Sequence, residues 1–309
     1  MEISPIINSL PTHLEALQNV REMILANAVM VGEIPAPTFR ESARMRFLCD
    51  RFTECGLQNI SNDEMGNAIG LLNGTEGDRT ILVVANLDTP YPESDDHTVS
   101  VNQVSLSGPA IANNALGVAA LATLPTIFEK LGITFKDNIL FLAHTRSLGL
   151  VDLEGFRFFL KNNKLPIHAA ICLAGAPLGR LSYTSVGMLR ASIECSIPRL
   201  DWTGLGGNNA IATLNRVITK ILSIPLPQEP KTNIILGKIE GGTSFSSIAT
   251  RAQLGLEVRS EQEGMVEQIE RQFVDIIDEV KHETTSDVSL KVIARRRNGG
   301  LPFQHPLIK

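Results

Sequence analysis

Ile81-Leu82-Val83-Val84-Ala85-Asn86-Leu87-Asp88-Thr89-Pro90 is the stretch that decides how this chain folds. Five consecutive small or branched apolar residues after Thr80 read as a strand buried on both faces, the habit of a parallel sheet covered by helices. The run then turns polar. In open α/β sheets, ligands sit beyond the carboxyl ends of the strands, so Asn86 and Asp88 stand where chemistry is expected. Taken alone, the two residues read as polar caps on a strand end.

On the amino-terminal side, Leu14, Leu17, Val20, Ile24, Ala28 and Val31 fall at helical spacing and predict one surface helix over 12–31. Ile34-Pro35-Ala36-Pro37 is a stiff connector. Thr38 with Glu41 three residues later has the capping-box pattern before a helix ending near Gly56. Residues 59–72 read as a hairpin at the edge of the sheet.

On the carboxyl-terminal side, residues 91–107 form a polar loop with a short alternating strand. An Ala/Leu helix over 114–131, interrupted only by Pro125, leads to a buried strand over 137–144, a succession that makes a right-handed parallel crossover. A helix over 150–163 and a strand over 168–173 follow. Three strands of parallel type therefore end at candidate positions: Asn86 and Asp88, the turn 145–148, and Ala174.

The pattern changes after Gly179. An extended strand over 182–198, a helix over 208–224, strands over 234–239 and 252–260, a helix over 261–283 and a strand over 288–294 give the order βαββαβ, the ferredoxin-like arrangement. The fold class read here is α/β, a mostly parallel sheet covered by helices, with an inserted α+β unit. The expected domains are 1–179 together with 296–309, and 180–295.

A chain of 309 residues, 43% of them hydrophobic, can bury the cores of two such domains. The net charge of −5 and the lack of any Lys/Arg cluster beyond Arg295-Arg296-Arg297 argue against a nucleic-acid partner. Cys49, Cys55, Cys172 and Cys195 lack C-x-x-C spacing, and three lie in apolar patterns typical of buried free thiols. Residues 1–17 have no apolar h-region, and no run reaches the roughly 18 apolar residues of a membrane span, so a cytoplasmic protein with no membrane partner is expected.

The order strand, N-L-D-T-P-Y-P, then G-P-A-I-A-N-N-A-L-G from Gly108 to Gly117, opening an apolar helix, resembles the peptidase T and carboxypeptidase G family of co-catalytic zinc exopeptidases and deacylases. Further resemblances are I-P-A-P-T-F-x-E-x-x-R from Ile34, Gly237 to Gly242 and Leu256 to Ser260 in the second unit, and His305-Pro306-Leu307. The resemblance implies a zinc-exopeptidase-like fold with an inserted lid or dimerisation domain, and a homodimer formed through that lid.

It also implies a site, and here the chain departs from the pattern. The family's first zinc-binding His falls on Asn86 and its bridging Asp on Asn113. Its base Glu falls on Ser147, its ligand Glu on Leu148 and its next acidic ligand on Ala174. Asp88 remains, the residue that orients the first His in active members. In the lid, the substrate-binding His falls near Trp202 and the strand-end cation on Arg259. Two zinc ions about 3.5 Å apart repel by roughly 19 kcal/mol at an effective dielectric near 20, and carboxylates must cancel that. The positions present supply almost none.

The expectation is therefore a catalytically silent relative that binds a peptide, small amide or protein partner through the altered cleft, with no cofactor. The alternatives are an active metal-dependent peptidase or amidohydrolase, which would need zinc, and a structural subunit of an active paralogue. His144 reads as a structural histidine, and Asp95-Asp96-His97 as a solvated loop.

Overall fold

The structure is a computed structural model that describes residues 4–18, 20–175, 179–197, 209–284 and 286–308. The chain forms two compact units, Met1–Arg180 and Leu181–Lys309.

In the first unit, helices α1 (Ser4–Gln18), α2 (Arg21–Glu33) and α3 (Ser42–Glu54) precede β1 (Gln58–Asn62), β2 (Ala68–Leu72) and β3 (Thr80–Asn86). A short pair, β4 (Ser100–Val101) and β5 (Leu106–Ser107), and a π-helical turn at Ile111–Ala115 lead into α4 (Leu116–Lys130). Then come β6 (Asn138–His144), α5 (Glu154–Asn162) and β7 (Ile167–Cys172). The sheet order is β1-β2-β6-β3-β7. β3 lies between β6 and β7 and is parallel to both, with Asn86 level with His144. The reading of a central parallel strand therefore holds, and its cause is visible. Val83 and Ala85 face a core shared with α2, α3 and α4, while Leu82 and Val84 face a smaller core closed by Phe156 and Phe159 of α5.

Several local expectations give way. The single helix over 12–31 is two helices, with buried Val20 at the amino end of α2. The capping box does not form: Glu41 occupies the N-cap position of α3 without a side-chain bond to the helix, because Thr38 and Glu41 both bond elsewhere. Pro125 lies inside α4 without ending it. Residues 111–130 are apolar enough for a membrane span by composition alone, against the sequence expectation. More than half of that segment is buried in the core of this unit. Cys172 is exposed rather than buried, because β7 is an edge strand.

The second unit contains β8 (Thr184–Ser185), β9 (Gly187–Ser196), α6 (Ala210–Leu222), β10 (Thr232–Gly241), β11 (Arg251–Ser260), α7 (Met265–Glu283), β12 (Asp287–Arg296) and β13 (Gly299–Gly300). Its antiparallel sheet has the order β10-β11-β9-β12. One face is covered by both helices: Leu214, Val217 and Ile221 of α6 and Ile269, Phe273 and Ile277 of α7 share one core with Ile193, Leu254 and Leu256. Lys220 of α6 pairs with Glu279 and Glu283 of α7, so the helices lie side by side. Asn209 caps α6 by accepting from the backbone N–H groups of Ile211 and Ala212.

Residues beyond 296, grouped with the first domain from sequence, pack within the second unit. β13 pairs with β8, the Leu301 N–H donates to the Tyr183 carbonyl at 2.8 Å, and Asn298 donates to the Ser260 carbonyl.

Candidate functional site

β3 ends at Asn86 because the chain beyond it turns its hydrogen bonds to loops. Leu87 N–H still reaches the His144 carbonyl at 2.8 Å, and Thr89 N–H then reaches Ala36. Between them Asp88 is completely buried. A carboxylate taken out of water must be fully hydrogen-bonded. Its Oδ2 accepts from Thr38 Oγ1 at 2.9 Å and from the backbone N–H groups of Ser147 at 2.8 Å and Leu148 at 2.9 Å. Its Oδ1 accepts from Ser147 Oγ, and its carbonyl oxygen accepts from the Asn114 amide. One side chain thus holds together the end of β3, the 35–40 connector and the 145–148 turn, while its backbone holds the π-helical turn.

These three loops are held in costly conformations. Phe39 (φ 77°) and Arg146 (φ 53°) are non-glycine residues in the left-handed region, each beside a group that bonds Asp88, and Ala110 (φ 59°) opens the π-helical turn that carries Asn114. Such backbone costs roughly 1–2 kcal/mol per residue, and the bonds to Asp88 offset it. At the rim, the Arg146 guanidinium lies 5.4 Å from the centre of the exposed Phe39 ring. A cavity of about 520 Å³, lined by Pro35, Phe39, Arg40, Ser42, Ala43 and Glu93, opens beside it.

A buried cation lies near this acid. Arg44 is also fully buried; its Nε donates to the Ile34 carbonyl at 2.8 Å and its Nη1 to the Leu87 carbonyl at 3.0 Å. Burial pulls its pKa down to about 10 and the Asp88 charge pulls it back up, so it remains a cation at neutral pH. Burial pushes Glu41 above the ordinary carboxyl range, against the Arg146 N–H that donates to it at 2.9 Å. Burial lowers the His144 pKa, and its ring lies against Phe156, as expected of a structural histidine.

Of the positions singled out from sequence, Asn86, Asp88, Ser147 and Leu148 are in contact here. Asn86 Nδ2 donates to Ser147 Oγ at 3.2 Å and to the Asp88 carbonyl at 3.3 Å. Leu148 follows in the same turn. Asn113 lies in the π-helical turn, against which Gly175 packs so closely that a Cβ on Gly175 would stand 2.3 Å from the Asn113 Cα. Ala174 precedes that contact and is exposed. In the second unit, Arg259 is paired with Glu257 at 2.6 Å, and Glu257 also holds Arg190. Trp202 lies outside the described residues. His97, expected in a solvated loop, is buried, with Nε2 2.9 Å from the Pro92 carbonyl.

Sequence reasoning missed Arg44, Thr38, Glu41 and Asn114. Arg44 carried a signal: with Leu48 and Phe52 it falls at four-residue spacing on the buried stripe of α3, where an unpaired cation would not be tolerated.

This donor set does not fit a pair of zinc ions. Asn86 and Asn113 offer neutral amides, Leu148 and Ala174 offer nothing, and both Asp88 oxygens are already engaged. Among the described residues no three His, Cys, Asp or Glu side chains gather as a metal-binding group.

Residues 204–285 match the family model of the peptidase dimerisation domain. No curated protein matches the sequence. Similar solved structures include a tripeptidase from Staphylococcus aureus (TM-score 0.71, 16% identity, covering 92% of this chain and 78% of that one). The dipeptidase Dug1p from Saccharomyces cerevisiae gives a TM-score of 0.77 at 10% identity, covering 97% and 82%. A dinuclear metal-binding peptidase of the M20 family from Bacillus subtilis gives 0.62 at 13%, covering 92% and 76%. The chain therefore has the fold of the M20 peptidases, and its second unit contains a peptidase dimerisation domain.

Proposed function

We propose that this protein binds a peptide or small amide in the cleft around Asp88 and does not hydrolyse it through a zinc pair. The observation that carries the reading is the state of Asp88: its carboxylate is consumed by Thr38, Ser147 and Leu148, and its charge is met by buried Arg44. A second cation has no carboxylate left to meet it, and the vestigial positions Asn86, Asn113, Leu148 and Ala174 supply none. Uncharged donors and acceptors at Asn86, Asn113 and Ser147 suit an amide ligand. Ser147 stands where a base Glu would; its hydroxyl is a poor substitute, since such proton transfer is typically worth roughly 10² to 10⁴ in rate. The chain works as a homodimer through its second unit, a reading supported by the dimerisation-domain match. Its four free cysteines suit the cytoplasm.

The competing reading, a metal-dependent peptidase or amidohydrolase, is favoured by fold neighbours that are peptidases, one of them dinuclear. Elemental analysis after dialysis against micromolar zinc, with a dipeptide and N-acyl amino acid hydrolysis screen, separates the two. The expected result is no stoichiometric zinc and no turnover. About two zinc per chain, or turnover lost on chelation and in Asp88→Ala, promotes the competing reading.

A further inference from the structure

The sheet of the first unit is covered unequally. Helices α2, α3 and α4 close one face, and the other is met by α5, nine residues long. Where that cover ends, over the β1–β2 edge, a cavity of about 610 Å³ remains. Its floor is apolar, built from Ile69 and Leu71 of β2, Leu140 of β6 and Phe159 of α5. The alternation of β1 sends Ile60 into the opposite core and turns Asn59 and Ser61 toward the cavity, so the rim on that side is polar. β1 carries its register shift between Gln58 and Ser61, with Asn59 in the left-handed region at φ 51°. Bulges of this kind re-aim a side chain and are common beside sites.

The charges at the mouth specify the occupant. Lys164 and Glu64 are exposed there, and among the described residues neither side chain forms an ion pair or a hydrogen bond, with the other or with any third group. They stand on separate elements, Glu64 in the turn after β1 and Lys164 after α5. Asp63 is already engaged, its oxygens accepting from the Asn67 amide and from the backbone N–H groups of Met65 and Asn67. The amides of Asn162 and Asn163 donate to the Phe158 and Leu165 carbonyls. What stays open is one cation, one anion and the Asn59 amide around an apolar floor. The complement of that arrangement is a zwitterion with an apolar body. The volume lies within the roughly 300–1,000 Å³ of ligand sites and has room for about two or three apolar residues.

We propose that this cavity is a binding site for a short apolar peptide with both ends free, its ammonium group at Glu64, its carboxylate at Lys164 and its side chains on Leu71, Leu140 and Phe159. The site is separate from the cleft around Asp88: none of Thr38, Asn114, Ser147 and Leu148, the residues that bond Asp88, lines it. It stands whatever the cleft binds.

The test is calorimetric titration of the full chain with dileucine, dileucine amide and N-acetyldileucine, repeated on Lys164→Ala and Glu64→Ala. Both changes fall on exposed side chains without partners, so the fold is expected to be kept. Dileucine is expected to bind wild type and to lose about fivefold in affinity in either variant, the worth of one solvent-exposed ion pair. Dileucine amide, which lacks the carboxylate, is expected to bind wild type more weakly and to ignore Lys164→Ala, and N-acetyldileucine, which lacks the ammonium group, to ignore Glu64→Ala. Bound dileucine is expected to slow hydrogen exchange in residues 58–72 and 158–165, the segments that line the cavity. Dileucine that fails to bind at millimolar concentration, that binds both variants as tightly as wild type, or that protects only the 145–148 turn overturns this site. The last of these outcomes places the peptide in the cleft around Asp88, so that reading stands while this one falls.

Discussion

Leu148 donates its backbone N–H to the Asp88 carboxylate at 2.9 Å, so a side chain that can bind no metal is held in place by a fully buried acid. With the Ser147 N–H and hydroxyl, this bond fixes the turn after β6 against the end of β3. Asp88 serves as a structural tie here, and its removal is a stability experiment before it is a functional one.

Asp88→Ala leaves four donors from Thr38, Ser147 and Leu148 without their acceptor in a buried site. Bonds to a charged group are worth about 1.5–3 kcal/mol each in isolation and are not additive, so a loss of about 3 kcal/mol or more is expected in urea denaturation. Ser147→Ala removes only the hydroxyl and should cost about 1 kcal/mol. Equal effects of the two would show that Asp88 is not the tie.

Arg44→Ala removes the buried cation, the bonds to the Ile34 and Leu87 carbonyls and the guanidinium volume. Leaving two buried carbonyls unmet and the Asp88 charge without its nearby cation is expected to cost about 3 kcal/mol or more. Thermal melts should show a change as large as that of Asp88→Ala, and the double variant should lose less than the sum, because each single change leaves the other charge uncompensated and the double variant removes both.

His144 supplies a pH signature. Burial lowers its pKa from the ordinary 6.5, so the unfolded chain protonates this ring at a higher pH than the folded one does. The stability linked to the neutral ring is complete above that value and is lost as pH falls from 6.5 through the folded pKa. Glu41, raised by burial from 4.5, acts with the opposite sign, its linked stability falling as pH rises from there. The measure is therefore the difference between wild type and His144→Gln in denaturation midpoint from pH 7.5 downward. Wild type should lose stability faster; parallel slopes would remove His144 from the account.

Gly175→Ala tests the wall formed by β7. A Cβ there meets the Asn113 Cα at 2.3 Å and the Ala112 carbonyl at 2.5 Å, both backbone groups that cannot swing aside. Overpacking of this kind costs about 1–3 kcal/mol, and hydrogen exchange should quicken in the 111–115 turn. Gly132→Ala is a control: its Cβ meets nothing within 4 Å, and its φ of 63° leaves only local backbone strain.

The apolar runs of β3 and β6 and the single stripes of α6 and α7 made the two-unit fold legible, because burial on two faces or on one leaves different periods in a sequence. The capping box was misread for the opposite reason. Thr38 and Glu41 satisfy a local pattern, yet their side chains bond Asp88 and Arg146, partners 50 and 105 residues away. The break near Val20 and the exposure of Cys172 likewise depend on what packs beside each segment.

What the sequence determined by itself was the identity of the groups at the strand ends. Asn86, Asn113, Ser147, Leu148 and Ala174 hold no metal-binding carboxylate whatever the fold does with them, because donor chemistry is a property of the residue. What only the tertiary structure decided was the use of Asp88 and Arg44. A carboxylate with nothing evident to orient became the tie among three loops and the counter-charge of a buried arginine. Burial and hydrogen-bond partners are set by segments far apart in sequence, and only folding brings their desolvation and their donors to one point.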